Sequence, residues 1–132
     1  MSEVETKEDL TPDRELPRLL NKQPGKPDQA VIDQWKTQYG DVYVSGFSEG
    51  ELYIWRSMNR SEFVKLQMTA QEVGMNQFQL EEATCKLCVL WPDNVDEQLQ
   101  KKAGTAGSLS EQIMQNSNFL TPGAASVLVA KL

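Results

Sequence analysis

The chain has no histidine, which removes the commonest general base and a leading metal ligand at once. It has only two cysteines, Cys85 and Cys88, too few for a structural zinc site, which takes about four ligands. No apolar run approaches the roughly 20 residues needed to cross a bilayer. The N-terminal MSEVETKEDL is acidic and polar, unlike a secretory signal. A cytoplasmic protein with reduced thiols is expected. Basic residues are outnumbered, 13 Lys+Arg against 19 Asp+Glu, for a net charge of −6. A nucleic-acid binder needs the opposite, a basic stripe that neutralises phosphates. A nucleophile elbow, a phosphate-binding loop and a dinucleotide fingerprint are also missing. The expectation is a protein that is not an enzyme, with no cofactor, no metal, no nucleic acid and no membrane among its partners.

What is present begins with a length of 132 residues, enough for one domain. Residues 1–27 are rich in Glu, Asp, Lys and Pro. Pro12, Pro17, Pro24 and Pro27 should interrupt any helix there, and the composition favours a flexible or partner-ordered N-terminal arm. Its apolar patch, Leu16, Leu19 and Leu20, is either a chance cluster or a short motif that folds on a partner. Residues 28–132 are expected to form a single small domain.

Residues 31–56, VIDQWKTQYGDVYVSGFSEGELYIWR, are the richest stretch. Asp28 after Pro27 is placed to cap a helix carrying Val31, Ile32, Trp35 and Tyr39 on one stripe, with Gly40 as a left-handed stop. Two strands follow, 42–47 and 51–56, joined through Ser48-Glu49-Gly50 as a three-residue loop with Gly50 at positive φ. That loop sets Phe47 opposite Glu51, Ser45 opposite Tyr53 and Tyr43 opposite Trp55. Alternation gives an aromatic face of Tyr43, Phe47, Tyr53 and Trp55, and an aliphatic face of Val42, Val44, Leu52 and Ile54. A lone hairpin is marginal in water. Either both faces are covered within the chain, or the aromatic face is a docking ribbon for another protein. Leu16, Leu19, Leu20, Tyr43, Phe47, Tyr53 and Trp55 are the candidate partner-binding residues.

Further helices are expected from Asn59 or Ser61 to before Gly74, with Phe63, Val64, Leu66 and Ala70 as its face; over 77–90, wide-striped and ended by Pro92; over 94–102; and from Ser108 or Ser110 through Ser117, after a loose link at Gly104 and Gly107. The apolar end, TPGAASVLVAKL, suits a short terminal helix. The sum is an α+β fold, mostly helical: one β-hairpin over 42–56 packed with about five short helices, plus an extended N-terminal arm.

Cys85-Lys86-Leu87-Cys88 falls mid-helix, where a CxxC pair reads as core packing rather than redox chemistry. Glu72, Glu81, Glu82, Asp93, Asp96 and Glu97 suit solvated helix faces and first turns. Arg56 and Arg60 bracket the hairpin–helix junction, with Glu62, Asp41 or a carboxylate of another protein as the partner for Arg60.

Three segments together resemble a known family. They are 32–44, Ile32-Asp33-Gln34-Trp35-Lys36-Thr37-Gln38-Tyr39-Gly40 running into Val42-Tyr43-Val44; 50–62, Gly50-Glu51-Leu52-Tyr53-Ile54-Trp55-Arg56 running into Asn59-Arg60-Ser61-Glu62; and 82–92, ending Cys88-Val89-Leu90-Trp91-Pro92. The pattern resembles the small tail-assembly chaperones of tailed bacteriophages, and residues 117–119 look similar to the end of that family's last helix. The resemblance implies a non-enzymatic tail morphogenesis protein that binds tape-measure, tube or baseplate components in the host cytoplasm during virion assembly. It transfers no binding residue one by one. The N-terminal arm departs from compact members of the family. It raises the alternative of a permanent structural component of the phage tail or baseplate, anchored to neighbours by that arm. A homo-oligomer is a further partner to consider.

Overall fold

A three-stranded antiparallel sheet sits between two apolar clusters. A computed structural model of the chain describes residues 12–48 and 50–119. In chain order the elements are α1 (Pro12–Asn21), α2 (Gln29–Tyr39), β1 (Val42–Ser48), β2 (Glu51–Arg56), α3 (Arg60–Val73), α4 (Gln77–Cys88), β3 (Val89–Trp91), α5 (Val95–Leu99) and α6 (Thr105–Gln115). The fold is α+β and mostly helical, as expected.

The hairpin pairs Tyr43 with Trp55 and Ser45 with Tyr53 as the sequence implies, but Ser48, not Phe47, faces Glu51. The register shifts between Gly46 and Ser48. A bulge there lengthens β1 by one residue, and Phe47 still meets Tyr53 edge-on at 5.9 Å between ring centroids. Gly50 has φ +82°, the conformation the turn requires.

The third strand departs from expectation. The helix foreseen over 77–90 stops at Cys88, and Val89–Trp91 pairs with β2, setting Ile54 opposite Trp91 and Trp55 opposite Val89. Pro92 disfavours helical geometry at Trp91, β2 has a free edge, and a valine and an aromatic residue suit a strand.

The arm departs further. Residues 12–21 form a helix that runs through Pro17. Leu20 is buried with Leu52 and Ile54, and Leu16, Leu19, Trp35, Val42, Val44, Leu90 and Trp91 pack around them. An interior proline costs about 3 kcal/mol, whereas each fully buried leucine contributes about 1.5–3 kcal/mol, so packing prevails over propensity. Gly46 lets the helix approach: a Cβ there would lie 2.6 Å from Leu16 Cδ2 and 2.9 Å from Leu52 Cδ2. Gly46→Val should therefore push α1 off the sheet at a cost of about 1–3 kcal/mol, read as a lower denaturation midpoint with faster amide exchange in α1. Residues 1–11 and the expected terminal helix in 120–132 lie outside the described residues.

The aromatic face of the sheet meets α4, α5 and α6. Tyr53, Trp55, Met58, Cys85, Cys88, Val95, Leu99, Ala106, Leu109 and Ile113 form this larger core. Tyr43 stacks on Trp55 with centroids 4.6 Å apart. Trp55 Nε1 donates to Ser45 Oγ at 2.8 Å, and Ser45 donates onward to Gln112. The link at Gly104 and Gly107 is not loose. Gly104 caps α6, which begins at Thr105, and the Thr105 hydroxyl donates to Glu51 Oε2 at 2.9 Å. Ser110 lies inside the helix, donating to the Gly107 carbonyl. The helix expected over 94–102 is shorter, Val95–Leu99.

Candidate binding surface

Both faces of the hairpin are covered within the chain, which corrects the docking-ribbon expectation. Tyr53 is 0% and Trp55 2% exposed. Tyr43 and Phe47 are half-buried against them. Leu16 and Leu19 are half-buried and Leu20 is buried, all on the aliphatic face. The structure thus splits the seven candidates into two groups on opposite sides of the sheet and turns both inward.

The cysteines occupy the last turn of α4 and are fully buried. Cys85 Sγ donates to the Ala106 carbonyl at 3.5 Å. Burial pushes the Cys85 thiol up to about 12 and the Cys88 thiol up to about 11. The thiolate is the reactive species, so neither thiol should react with a disulfide reagent at pH 8 in the native protein, and both should react after denaturation. A thiol with a raised native pKa favours the fold below its unfolded value. That contribution falls as pH rises from the ordinary thiol value of 9.0 toward about 12.

Arg56 ties the hairpin to α2, α3 and α4. Its guanidinium donates to Glu62 Oε1 at 2.6 Å through Nη1 and to the Leu87 carbonyl at 3.1 Å through Nη2, and lies 4.6 Å from the Tyr39 ring centroid. Glu62 also closes a capping box with Asn59 at the start of α3. The Arg56 hydrogen bond holds the Glu62 carboxyl below the usual carboxylate range. Arg60, expected beside Glu62 or Asp41, instead sits over the Phe63 ring. Of the flagged carboxylates, Asp96 pairs with Lys86 at the surface and Glu81 accepts from Gln77. Among the described residues no group of three His, Cys, Asp or Glu is placed to hold a metal ion, and no helix is long and apolar enough to cross a membrane.

The exposed apolar surface lies elsewhere. The large hydrophobic side chains left exposed among the described residues are Val64, Met68 and Val73 of α3, Phe78 of α4, and Phe119. Phe78 is 70% and Met68 59% exposed. On the side of α3 away from Val64 and Met68, an open groove of about 140 Å³ runs between α3, α4 and α6, lined by Phe63, Leu66, Leu80 and Met114, with Gln67 and Glu81 also on its walls. Phe119 packs on Phe63 at 4.6 Å between centroids. This surface escaped the sequence because Val64 and Phe78 fit apolar helical stripes. One signal was available: Val64 and Met68, one turn apart, lie opposite Phe63, Leu66 and Ala70 on a helical wheel. Compared with protein-family models, curated proteins and solved structures, the chain has no significant match.

Proposed function

We propose that the chain is a non-enzymatic phage tail morphogenesis protein that binds an apolar segment of a tail or tape-measure component during assembly in the host cytoplasm. The observation that carries the binding role is the apolar groove between α3, α4 and α6, with Phe78 exposed in the first turn of α4. Clustered exposed apolar surface marks interaction sites, and a net charge of −6 keeps such a protein soluble. The tail assignment rests on the resemblance of 32–44, 50–62 and 82–92 to tail-assembly chaperones. Anchoring as a permanent tail or baseplate component through Leu16, Leu19 and Leu20 is disfavoured, because those side chains are engaged on the chain's own sheet.

Co-expression with the tape-measure protein of the same phage tests this reading. The chain should raise the soluble fraction of the tape measure. A variant with Phe78→Ser and Gln67→Arg, which changes the groove and its surroundings but no core residue, should lose that effect while keeping its own fold. Undiminished solubilisation by the variant would remove the groove from the account.

A further inference from the structure

We infer that the outer face of α3 is a self-complementary surface on which a second copy of this chain docks, antiparallel, about a two-fold axis beside Met68. Phe63 and Leu66 of α3 pack toward the core and Ala70 is buried. The opposite side presents Ser61, Val64, Lys65, Met68, Gln71 and Glu72, all exposed. Val64 and Met68 form an apolar seam one turn apart. Lys65 and Glu72 lie two turns apart on the same face. Among the described residues neither takes part in an ion pair within the chain.

This charge order identifies the occupant. When two copies of α3 run antiparallel with the axis next to Met68, Lys65 of each copy falls opposite Glu72 of the other, and the two ion pairs flank the apolar seam. A parallel arrangement would set like charges side by side, which is repulsive. Isologous two-fold contacts are the commonest closed assembly, and they require a surface complementary to itself. A helix of 14 residues is about 21 Å long, so the interface belongs with the small, reversible ones below about 1,200 Å². The groove that serves the proposed function lies on the other side of α3, so dimerisation leaves it open.

Sedimentation equilibrium of the full chain, from about 10 μM to 1 mM at 0.15 M salt, where net repulsion is screened, tests the inference. A reversible monomer–dimer equilibrium is expected. Met68→Glu, which sets two carboxylates together at the axis, should leave monomer throughout. Lys65→Glu alone and Glu72→Lys alone should each weaken the dimer at least about fivefold, and the double variant should restore it to within about twofold. The three positions changed here, Lys65, Met68 and Glu72, are exposed, and near-UV circular dichroism verifies that each variant keeps its fold. A single monomeric species over the whole range would overturn the inference. So would a dimer indifferent to Met68→Glu, or a double variant that stays as weak as the single ones. Client solubilisation by Met68→Glu should match that of the unaltered chain, which separates this surface from the groove.

Discussion

Trp55→Ala is expected to remove about 3–5 kcal/mol of stability, the usual range for emptying a buried aromatic site. Trp55 is 2% exposed, stacks on Tyr43 and donates through Nε1 to Ser45. The substitution opens a cavity between the sheet and α6 and removes the donor to a buried hydroxyl, which adds to the transfer cost. Small domains hold only about 5–15 kcal/mol in all, so much of the stability goes with this one ring. Urea denaturation should show a lower midpoint at an unchanged slope. Phe78→Ser, at a side chain 70% exposed, should change stability by no more than about 0.5 kcal/mol. Equal costs at the two sites would contradict the division into an internal aromatic face and an external α3–α4 surface.

Arg56→Met is expected to cost about 2–3 kcal/mol. Breaking a buried ion pair on one side costs about 3–5 kcal/mol, and two features reduce that here. Glu62 keeps 26% of its side chain in solvent, where water can take over part of its hydrogen bonding. Arg56 Nε is buried without a hydrogen-bond partner among the described residues, so its removal relieves a desolvation penalty. What remains is the loss of the donor to the Leu87 carbonyl, of the contact with Tyr39, and of the link that holds the Asn59–Glu62 cap against the hairpin.

The same substitution has a signature in pH. The native Glu62 carboxyl is held below its unfolded value, first by the Arg56 hydrogen bond. Its contribution to stability is therefore full above the unfolded value and is lost as pH falls through the lower native one. The unaltered protein should lose stability as the pH drops below about 4.5, and Arg56→Met should show a shallower decline across that window. Parallel acid profiles in the two proteins would mean that the pair does not set the Glu62 titration.

The hairpin was legible because its signals are local. Gly50 and alternating bulky residues fix the faces, and the Tyr43–Trp55 and Ser45–Tyr53 pairs follow from the loop. The Asn59 cap and the stop at Gly74, with φ +70°, are likewise written in short windows. The elements that local sequence does not specify depend on distant partners. Val89–Trp91 is a strand only because β2 offers an edge, and α1 survives Pro17 only because Gly46 and the aliphatic face receive its leucines. Burial of Tyr53 and Trp55 required knowing that α4, α5 and α6 close over them. The exposed surface was hidden for a related reason. Phe78 fits the apolar stripe of α4, and only the assembled helices show that it stays 70% exposed among the described residues.

The most direct test of the account is recovery of binding partners from the source lysate with a tagged full chain, compared with the Phe78→Ser, Gln67→Arg variant, with bound proteins identified by mass spectrometry. The account predicts that tape-measure or tail-tube protein is recovered by the unaltered chain and lost with the variant. Recovery of no tail component, or equal recovery by both chains, would contradict it.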